Sequence, residues 1–261
     1  MSAQSLPEIP AATLVVFRRG PEGQPPELLM VVRSRDLAFA GGMAVFPGGR
    51  VDAEDRELAR ALTRELTGPL DEDEAAHRIA AIRETIEETG LALGFRTPPD
   101  RAEAQTMRRA LVETGALASV LERGKHDLDL AALVPFARWC PRGVTTHRIF
   151  DTRFYLYDLG TGAVDLAVDK TENTRLFWIS AAEALRRADA GELSVIFPTR
   201  RNLERLALFA SFAEARAQAE AIPARLIVPA IAEVEGKPAL TIPADLGYPV
   251  THEFLATALR A

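Results

Sequence analysis

Three glutamates near the middle of the chain have a spacing that suits metal binding. Glu84, Glu87 and Glu88 lie at positions i, i+3 and i+4, which share one face of an α-helix. Glu84 and Glu88 also form a like-charge pair, which costs an isolated helix about 0.2–0.5 kcal/mol unless a cation is close. Hard divalent metals prefer such oxygen ligands. The spacing therefore predicts a cation-binding helix face, whose chemistry would be metal-assisted attack of water on a phosphate chain.

A solvated surface helix is the alternative explanation, because glutamate-rich faces are common on exposed helices. Arg83 could offset part of the repulsion as an ordinary surface ion pair worth about 0–1 kcal/mol. A second feature favours a functional site. The upstream segment Phe46-Pro47-Gly48-Gly49 is a turn in which glycine lets the backbone approach a ligand closely.

The segment that carries the glutamates has clear helix start and stop signals. Asp71 and Glu74 have the spacing of a capping box, and Gly90 is a typical helix terminator. We therefore predict a helix that runs from Asp71 to about Thr89. Its apolar stripe has four members, Ala75, Ile79, Ile82 and Ile86. The three glutamates are expected to lie mostly away from that stripe.

The remaining elements are a mixture of strands and helices. Strands or extended segments are predicted at residues 12–18, 27–33, 130–139, 150–159, 174–179, 226–232 and 238–243. Helices are predicted at residues 53–66, 101–113, 117–123 and 180–188, with a long alanine-rich helix at 199–221. Because strands and helices do not alternate regularly, a mixed-sheet α/β/α sandwich is favoured over a doubly wound parallel fold.

Composition excludes several classes of function. The net charge of −6 gives no basic surplus for a nucleic-acid surface, and no run of 18 apolar residues exists to span a membrane. A single cysteine, Cys140, allows no intrachain disulfide and fits a reducing compartment. The first ten residues lack the pattern of a secretory signal, so a cytoplasmic location is expected.

Residues 83–91, Arg-Glu-Thr-Ile-Glu-Glu-Thr-Gly-Leu, resemble the distal half of the Nudix motif, in which Thr85 is the one misfit. Gly49 matches the glycine that opens that motif. The chain is thus identified as a member of the Nudix hydrolase superfamily. The resemblance implies an α/β fold, a Nudix-type α/β/α sandwich with a mixed β-sheet, plus helical insertions and a C-terminal extension.

The Nudix motif is interrupted in this chain. Arg83 follows Gly49 by 34 positions, whereas the family pattern has 14, so about 20 residues are inserted. Two residues fit the proximal carboxylate of the motif: Asp55 by counting forward from Gly49, and Glu74 by its place beside the position counted back from Arg83. We expect one domain at residues 10–250, with the insertion at about 51–73 and additional helices at about 100–125 and 199–221.

A narrower resemblance links the chain to the coenzyme A diphosphatases with an interrupted Nudix box. It is carried by five segments, at residues 33–35, 46–52, 151–154, 196–199 and 242–249. Related enzymes with a coenzyme A signature carry a histidine in the loop before the Phe-Pro-Gly-Gly turn, whereas residues 37–42 here are Leu-Ala-Phe-Ala-Gly-Gly.

The resemblance implies a set of ligands for a magnesium or manganese ion. These are the side chains of Glu84, Glu87 and Glu88 and the backbone carbonyl of Gly49. Glu84 is a third ligand or an organiser of water. The residues expected to act in catalysis are Glu84, Glu87 and Arg83, with Arg83 holding a carboxylate of its own helix in place.

Substrate binding is assigned to residues around the glycine turn. Arg33 and Arg50 are the first candidates to clamp phosphate, ahead of Arg35, and Gly48 lets the backbone approach the ligand. The general base stays open, because its position varies within the superfamily. Glu172 is one candidate from outside the motif, and an ordinary solvated turn is the alternative there.

The expected function is metal-dependent hydrolysis of a diphosphate bond in a nucleoside diphosphate linked to another group, such as coenzyme A or an acyl derivative. The alternatives are an ADP-ribose or dinucleotide pyrophosphatase, and a catalytically silent module that senses a nucleotide. The expected partner is a small nucleotide-diphosphate substrate, not a nucleic acid or a membrane. Residues 203–221 could form a homodimer seam or pack on their own domain.

Overall fold

The computed structural model describes residues 6–34, 40–64, 70–142, 144, 148–160 and 173–258. Within these ranges the strands are β1 (Glu8–Arg18), β2 (Glu27–Arg33), β3 (Ala44–Val45), β4 (Gly48–Arg50), β5 (Val134–Trp139), β6 (Ile149–Asp158), β7 (Asn173–Ser180), β8 (Leu226–Ile227), β9 (Ala230–Val234), β10 (Lys237–Thr241) and β11 (His252–Phe254). The helices are α1 (Ala53–Thr63), α2 (Glu72–Thr89), α3 (Arg101–Thr114), α4 (Leu117–Gly124), α5 (Ala181–Asp189), α6 (Phe197–Leu206), α7 (Phe212–Ala221) and α8 (Leu255–Ala258). No helix of this part of the chain combines the length and apolar character needed to cross a bilayer.

The main sheet is mixed, as the sequence predicts. Strand β1 runs parallel to β6 and antiparallel to β2 and β4, and the sheet order is β3-β2-β1-β6-β5-β8. Strand β7 extends the sheet by pairing with β2. A separate three-stranded sheet, β11-β10-β9, follows near the C-terminus, in which β9 and β10 are antiparallel, whereas β8, the start of the segment predicted at 226–232, pairs with β5 in the main sheet.

The two faces of the main sheet are covered by different helices. Along β1, Leu14 and Val16 belong to a buried cluster that includes side chains of α1 to α4, whereas Val15 and Phe17 belong to a second cluster with α5 to α7. This alternation is what a strand buried on both faces produces. The predicted α/β/α sandwich is therefore confirmed.

Helix α2 begins and ends where its capping residues predict. The side chain of Asp71 accepts a hydrogen bond from the backbone N–H of Glu74 at 2.7 Å, and Gly90 closes the helix with φ 77°. The predicted apolar stripe of Ala75, Ile79, Ile82 and Ile86 is buried in the core, and Glu88, although it is not part of that stripe, is only 4% exposed. The starts of β4 and β7 cover this end of the helix and bury that side chain.

The predicted helix at 199–221 is two helices, so the expectation of one long helix is wrong. Helix α6 ends at Leu206 and α7 begins at Phe212. Ser211 caps α7 by accepting from the backbone N–H of Glu214 at 3.2 Å, and the Glu214 carboxylate accepts from the N–H of Ala210. This capping pattern starts a new helix, and buried residues of both helices pack in the second cluster of their own domain.

Candidate active site

The glycine turn lies directly against helix α2. Strand β4 pairs with β1, and at Gly48, where φ is 155°, a Cβ atom would lie 2.3 Å from the carbonyl oxygen of Ala12. At Gly49 a Cβ atom would lie 2.3 Å from Oε1 of Glu84. Real Cβ atoms do not approach other atoms this closely, so position 48, which meets backbone, requires glycine, and a side chain at position 49 would displace the Glu84 carboxylate. The absence of side chains here brings the β4 backbone into contact with the carboxylates of α2.

Glu88 is held by donors from two different strands. Its Oε2 accepts from the backbone N–H of Gly48 at 3.0 Å, and its Oε1 accepts from Nδ2 of Asn173 at 3.1 Å. Nη1 of Arg33 lies 4.0 Å from Oε1. Burial raises the pKa of Glu88 to about 8, and the charge of Glu84 adds to this rise, while the Asn173 and Gly48 hydrogen bonds oppose it.

Arg83 is a buried hub for the neighbouring acidic groups. Its Nε and Nη2 donate to the two carboxylate oxygens of Asp55 at 3.0 and 2.9 Å, and Nη2 also donates to the backbone oxygen of Arg50 at 2.9 Å. Nη1 donates to Glu84 at 2.9 Å and to Glu87 at 3.4 Å. The three nitrogens of this guanidinium thus link the glycine turn, α1 and α2 through hydrogen bonds.

Negative charge exceeds positive charge around this hub. Asp52, Asp55, Glu84 and Glu87 each have a carboxylate oxygen within 3.4 Å of the single Arg83 guanidinium. Burial raises the pKa of Glu84 to about 7, and Arg83 lowers it only in part. Burial also raises the pKa of Glu87, again against the influence of Arg83. Burial alone would lower the pKa of Arg83, but the Asp55 hydrogen bonds and the surrounding carboxylates raise it.

Comparison with solved structures identifies the family. A NUDIX hydrolase from Alicyclobacillus acidocaldarius has 30% sequence identity and a TM-score of 0.69, with 82% of this chain and 97% of that chain covered. The chain belongs to the Nudix hydrolase family. No protein-family model matches this Nudix hydrolase, although its fold and its carboxylate helix agree with the membership.

A curated relative comes from Gallus gallus, the acyl-coenzyme A diphosphatase NUDT19. It is 28% identical in an alignment that covers 74% of this chain. This Nudix hydrolase spans 65% of the length of that relative. The predicted resemblance to coenzyme A diphosphatases is thus supported by a relative that bears that name, and the enzyme class of Nudix pyrophosphohydrolase is confirmed at the level of the family.

The donor set of the site fits a divalent cation. Nudix hydrolases generally use divalent metals. The carboxylates of this face supply hard oxygen atoms, and they outnumber the cationic groups that neutralise them. In the described ranges no group of three or more histidine, cysteine, aspartate or glutamate side chains already converges on one point. The carboxylates instead accept hydrogen bonds from Arg83, Gly48 and Asn173, and an ionised carboxylate oxygen with one such bond keeps further acceptor capacity.

The structure distinguishes the two candidates for the proximal carboxylate. Asp55 is 1% exposed and forms the two-oxygen pair with Arg83. Glu74 instead pairs with Arg78 at 2.9 Å and with Arg153 at 2.6 Å. Of the residues between Asp55 and Arg83, those at 56–63 complete α1 and those from Glu72 onward form the first part of α2, and the Arg56–Asp73 and Arg60–Glu72 ion pairs join the two helices.

The structure brings together all eight residues that the sequence assigned to the site: Arg33, Gly48, Gly49, Arg50, Arg83, Glu84, Glu87 and Glu88. Arg33 lies on the inner side beside Glu88, whereas the Arg50 side chain is largely exposed at the rim and lies 3.7 Å from Asp52. Arg35 and Glu172 lie outside the described residues. Sequence reasoning missed Asn173. The sequence signal that could have indicated it is its position as a polar residue directly before the strand predicted at 174–179.

Proposed function

We propose that this Nudix hydrolase cleaves a diphosphate bond in a nucleoside diphosphate linked to another group, in a reaction that depends on magnesium or manganese. The observation that carries the proposal is the Arg83 hub, which packs an excess of carboxylates against a backbone turn without side chains. A merely solvated helix face does not bury its acidic groups in this way.

Glu84, Glu87 and Glu88 would hold the cation, together with the backbone carbonyl of Gly49. When bound, a divalent cation would neutralise part of the diphosphate charge and lower the pKa of a water molecule bound to it. The protein's own contribution is to fix these oxygens. Glu88 is held through Gly48 and Asn173, and Glu84 and Glu87 are both held by Arg83.

Arg83 acts through its neighbours. Because Asp55 occupies two of its nitrogens, the guanidinium plane is fixed and its remaining N–H groups face Glu84 and Glu87. In the proposed mechanism these two carboxylates orient the attacking water, and a carboxylate of this face accepts its proton. A buried glutamate with a pKa near neutrality suits that step.

Arg33 and Arg50 are proposed to bind the substrate phosphates. Arg33 has its Nη1 4.0 Å from Oε1 of Glu88, and its side chain is 19% exposed, so we propose that this guanidinium meets the incoming anion beside the carboxylates. Arg50 is solvent-accessible at the rim. The net charge of −6 makes such local cations necessary for a phosphate ligand.

Coenzyme A or acyl-coenzyme A is the first candidate substrate, and we propose that residues 10–250 form the single domain that binds it. The name of the Gallus gallus relative supports this choice. The segments that resemble coenzyme A diphosphatases include the glycine turn and Arg33, which both lie at the site.

A substrate panel with matched variants tests the proposal. The panel contains coenzyme A, an acyl-coenzyme A, ADP-ribose, dinucleotides and nucleoside triphosphates, each with magnesium or manganese. Glu87→Gln and Glu88→Gln are compared with the control Glu220→Gln, which changes an exposed helix residue paired with Arg216. We expect coenzyme A derivatives to be cleaved by the wild type and the control only. Equal turnover in all four proteins would refute the catalytic role of the carboxylate face.

A further inference from the structure

Asn173 is a buried amide that contacts Glu88. It is the first residue of β7, is 1% exposed, and donates from Nδ2 to Oε1 of Glu88 at 3.1 Å. In the sheet it lies opposite Arg33 on β2, at a point where the register between the strands shifts. An irregularity at a strand end redirects side chains, and here both residues of the pair approach the same carboxylate.

The two oxygens of Glu88 are held by donors from two different strands. Gly48 supplies a backbone donor from β4, and Asn173 supplies a side-chain donor from β7. A carboxylate oxygen can accept more than one contact, so each oxygen keeps acceptor capacity for a cation. Two donors from separate strands leave the side chain little freedom to rotate.

The other end of the Asn173 amide is its carbonyl oxygen. Its Oδ1 is buried without a hydrogen-bond partner among the described residues. An unsatisfied buried acceptor is costly, on the order of 1–3 kcal/mol. A residue that served only to fill space at this strand end would be less costly as an apolar side chain. The geometry therefore favours the contact with Glu88 as the reason for an amide here.

We propose that Asn173 is a positioning residue that orients Glu88 for binding of a divalent cation. The inference rests on the proposed function, because it assigns Glu88 to the cation site. In this role Asn173 acts through Glu88 and is not itself a ligand. It fixes one carboxylate oxygen, and its loss lets that carboxylate rotate away from the position set by Gly48.

The test compares Asn173→Leu, which keeps the approximate size but removes the donor, with Thr174→Val as the control. Thr174 is the next residue of β7, and its hydroxyl donates to the backbone oxygen of Val32 instead of to the site. Manganese affinity is measured by titration calorimetry on each full-length protein, together with kcat, KM and urea unfolding. We expect Asn173→Leu to weaken manganese binding about tenfold or more, as loss of a group that orients a ligand does. kcat should fall while KM changes little, and Thr174→Val should match the wild type in all of these measurements.

A double-mutant cycle separates orientation of Glu88 from a general structural effect. In a Glu88→Ala background, Asn173→Leu should cause no further loss of manganese affinity, because the group that it orients is gone. An equal loss in both backgrounds would overturn the proposal, as would wild-type affinity in Asn173→Leu. Should Asn173→Leu fail to fold, Asn173→Ser, whose shorter side chain reaches Glu88 poorly, takes its place with the same expected and contradictory results.

The two hypotheses fail in different ways. If the wild type binds manganese but cleaves no substrate of the panel, the proposed reaction is wrong, whereas the calorimetric cycle still decides the role of Asn173. If the wild type is active, Glu88→Gln is inactive and Asn173→Leu binds manganese normally, the proposed reaction stands and the positioning role is wrong.

Discussion

Replacing Asp55 by asparagine removes the charge that balances the buried guanidinium of Arg83. The two side chains are 1% and 4% exposed and share two hydrogen bonds of 3.0 and 2.9 Å. Breaking a buried ion pair by removing one partner costs about 3–5 kcal/mol. Since Glu84 and Glu87 still face Arg83 and asparagine keeps one acceptor oxygen, we expect the lower end, about 3 kcal/mol.

The matched control is Glu74→Gln, the same chemical change at the rival candidate for the proximal carboxylate. Glu74 is partly exposed, and its arginine partners also have other acceptors, so its loss should cost about 1 kcal/mol. Urea unfolding of metal-free protein measures both changes. For a chain of this size a loss of 3 kcal/mol lowers Tm by roughly 6–12 °C.

The functional part of the prediction concerns the orientation of Arg83. Without Asp55 the guanidinium is no longer fixed toward Glu84 and Glu87, so kcat for the cleaved substrate should fall at least tenfold, while Glu74→Gln should retain near wild-type kcat. The reasoning about the hub would be refuted if Glu74→Gln were as destabilising and as inactive as Asp55→Asn.

Three further predictions concern the turn, the carboxylates and the helix break. Gly49→Ala should abolish most activity, because its Cβ would lie 2.3 Å from the Glu84 carboxylate, and an active, manganese-binding variant would contradict this. Glu84 and Glu88 have folded pKa values of about 7 and about 8, above the value of 4.5 for a free glutamate, so the folded state binds protons more tightly. With chelator present, stability should therefore fall as pH rises from about 5 to about 8, and Glu88→Gln should flatten that slope in urea titrations. Ser211→Ala removes the N-cap of α7 and should cost about 1 kcal/mol in the same assay with unchanged kcat; no change in stability would argue against the cap.

The carboxylate helix could be predicted from sequence because its signals are local. Asp71, Glu74 and Gly90 are the start and stop residues of α2, and all lie within a few positions of the bonds that they make. The glutamate spacing then fixes which side chains share a face. The same local reasoning failed at Ser211, where the high alanine content of the surrounding segment hid a capping pattern that starts a second helix.

The partners of the site lie far apart in the chain and could not be read from spacing alone. Arg83 and Asp55 are 28 positions apart, and Asn173 and Glu88 are 85 apart. The interrupted motif left both Asp55 and Glu74 as candidates in sequence, and the folded arrangement of α1 beside α2 shows which of them reaches Arg83. Burial of Glu88 likewise depends on β4 and β7, which are distant in sequence from α2.

Manganese binding to the carboxylate face is the most direct test of the account. Titration calorimetry of the full-length protein should show manganese uptake by the wild type, and affinity should fall at least tenfold in both Glu87→Gln and Glu88→Gln. Uptake that is absent from the wild type, with or without a nucleotide diphosphate present, would contradict the account. Uptake that is equal in all three proteins would place any bound cation elsewhere and would contradict it as well.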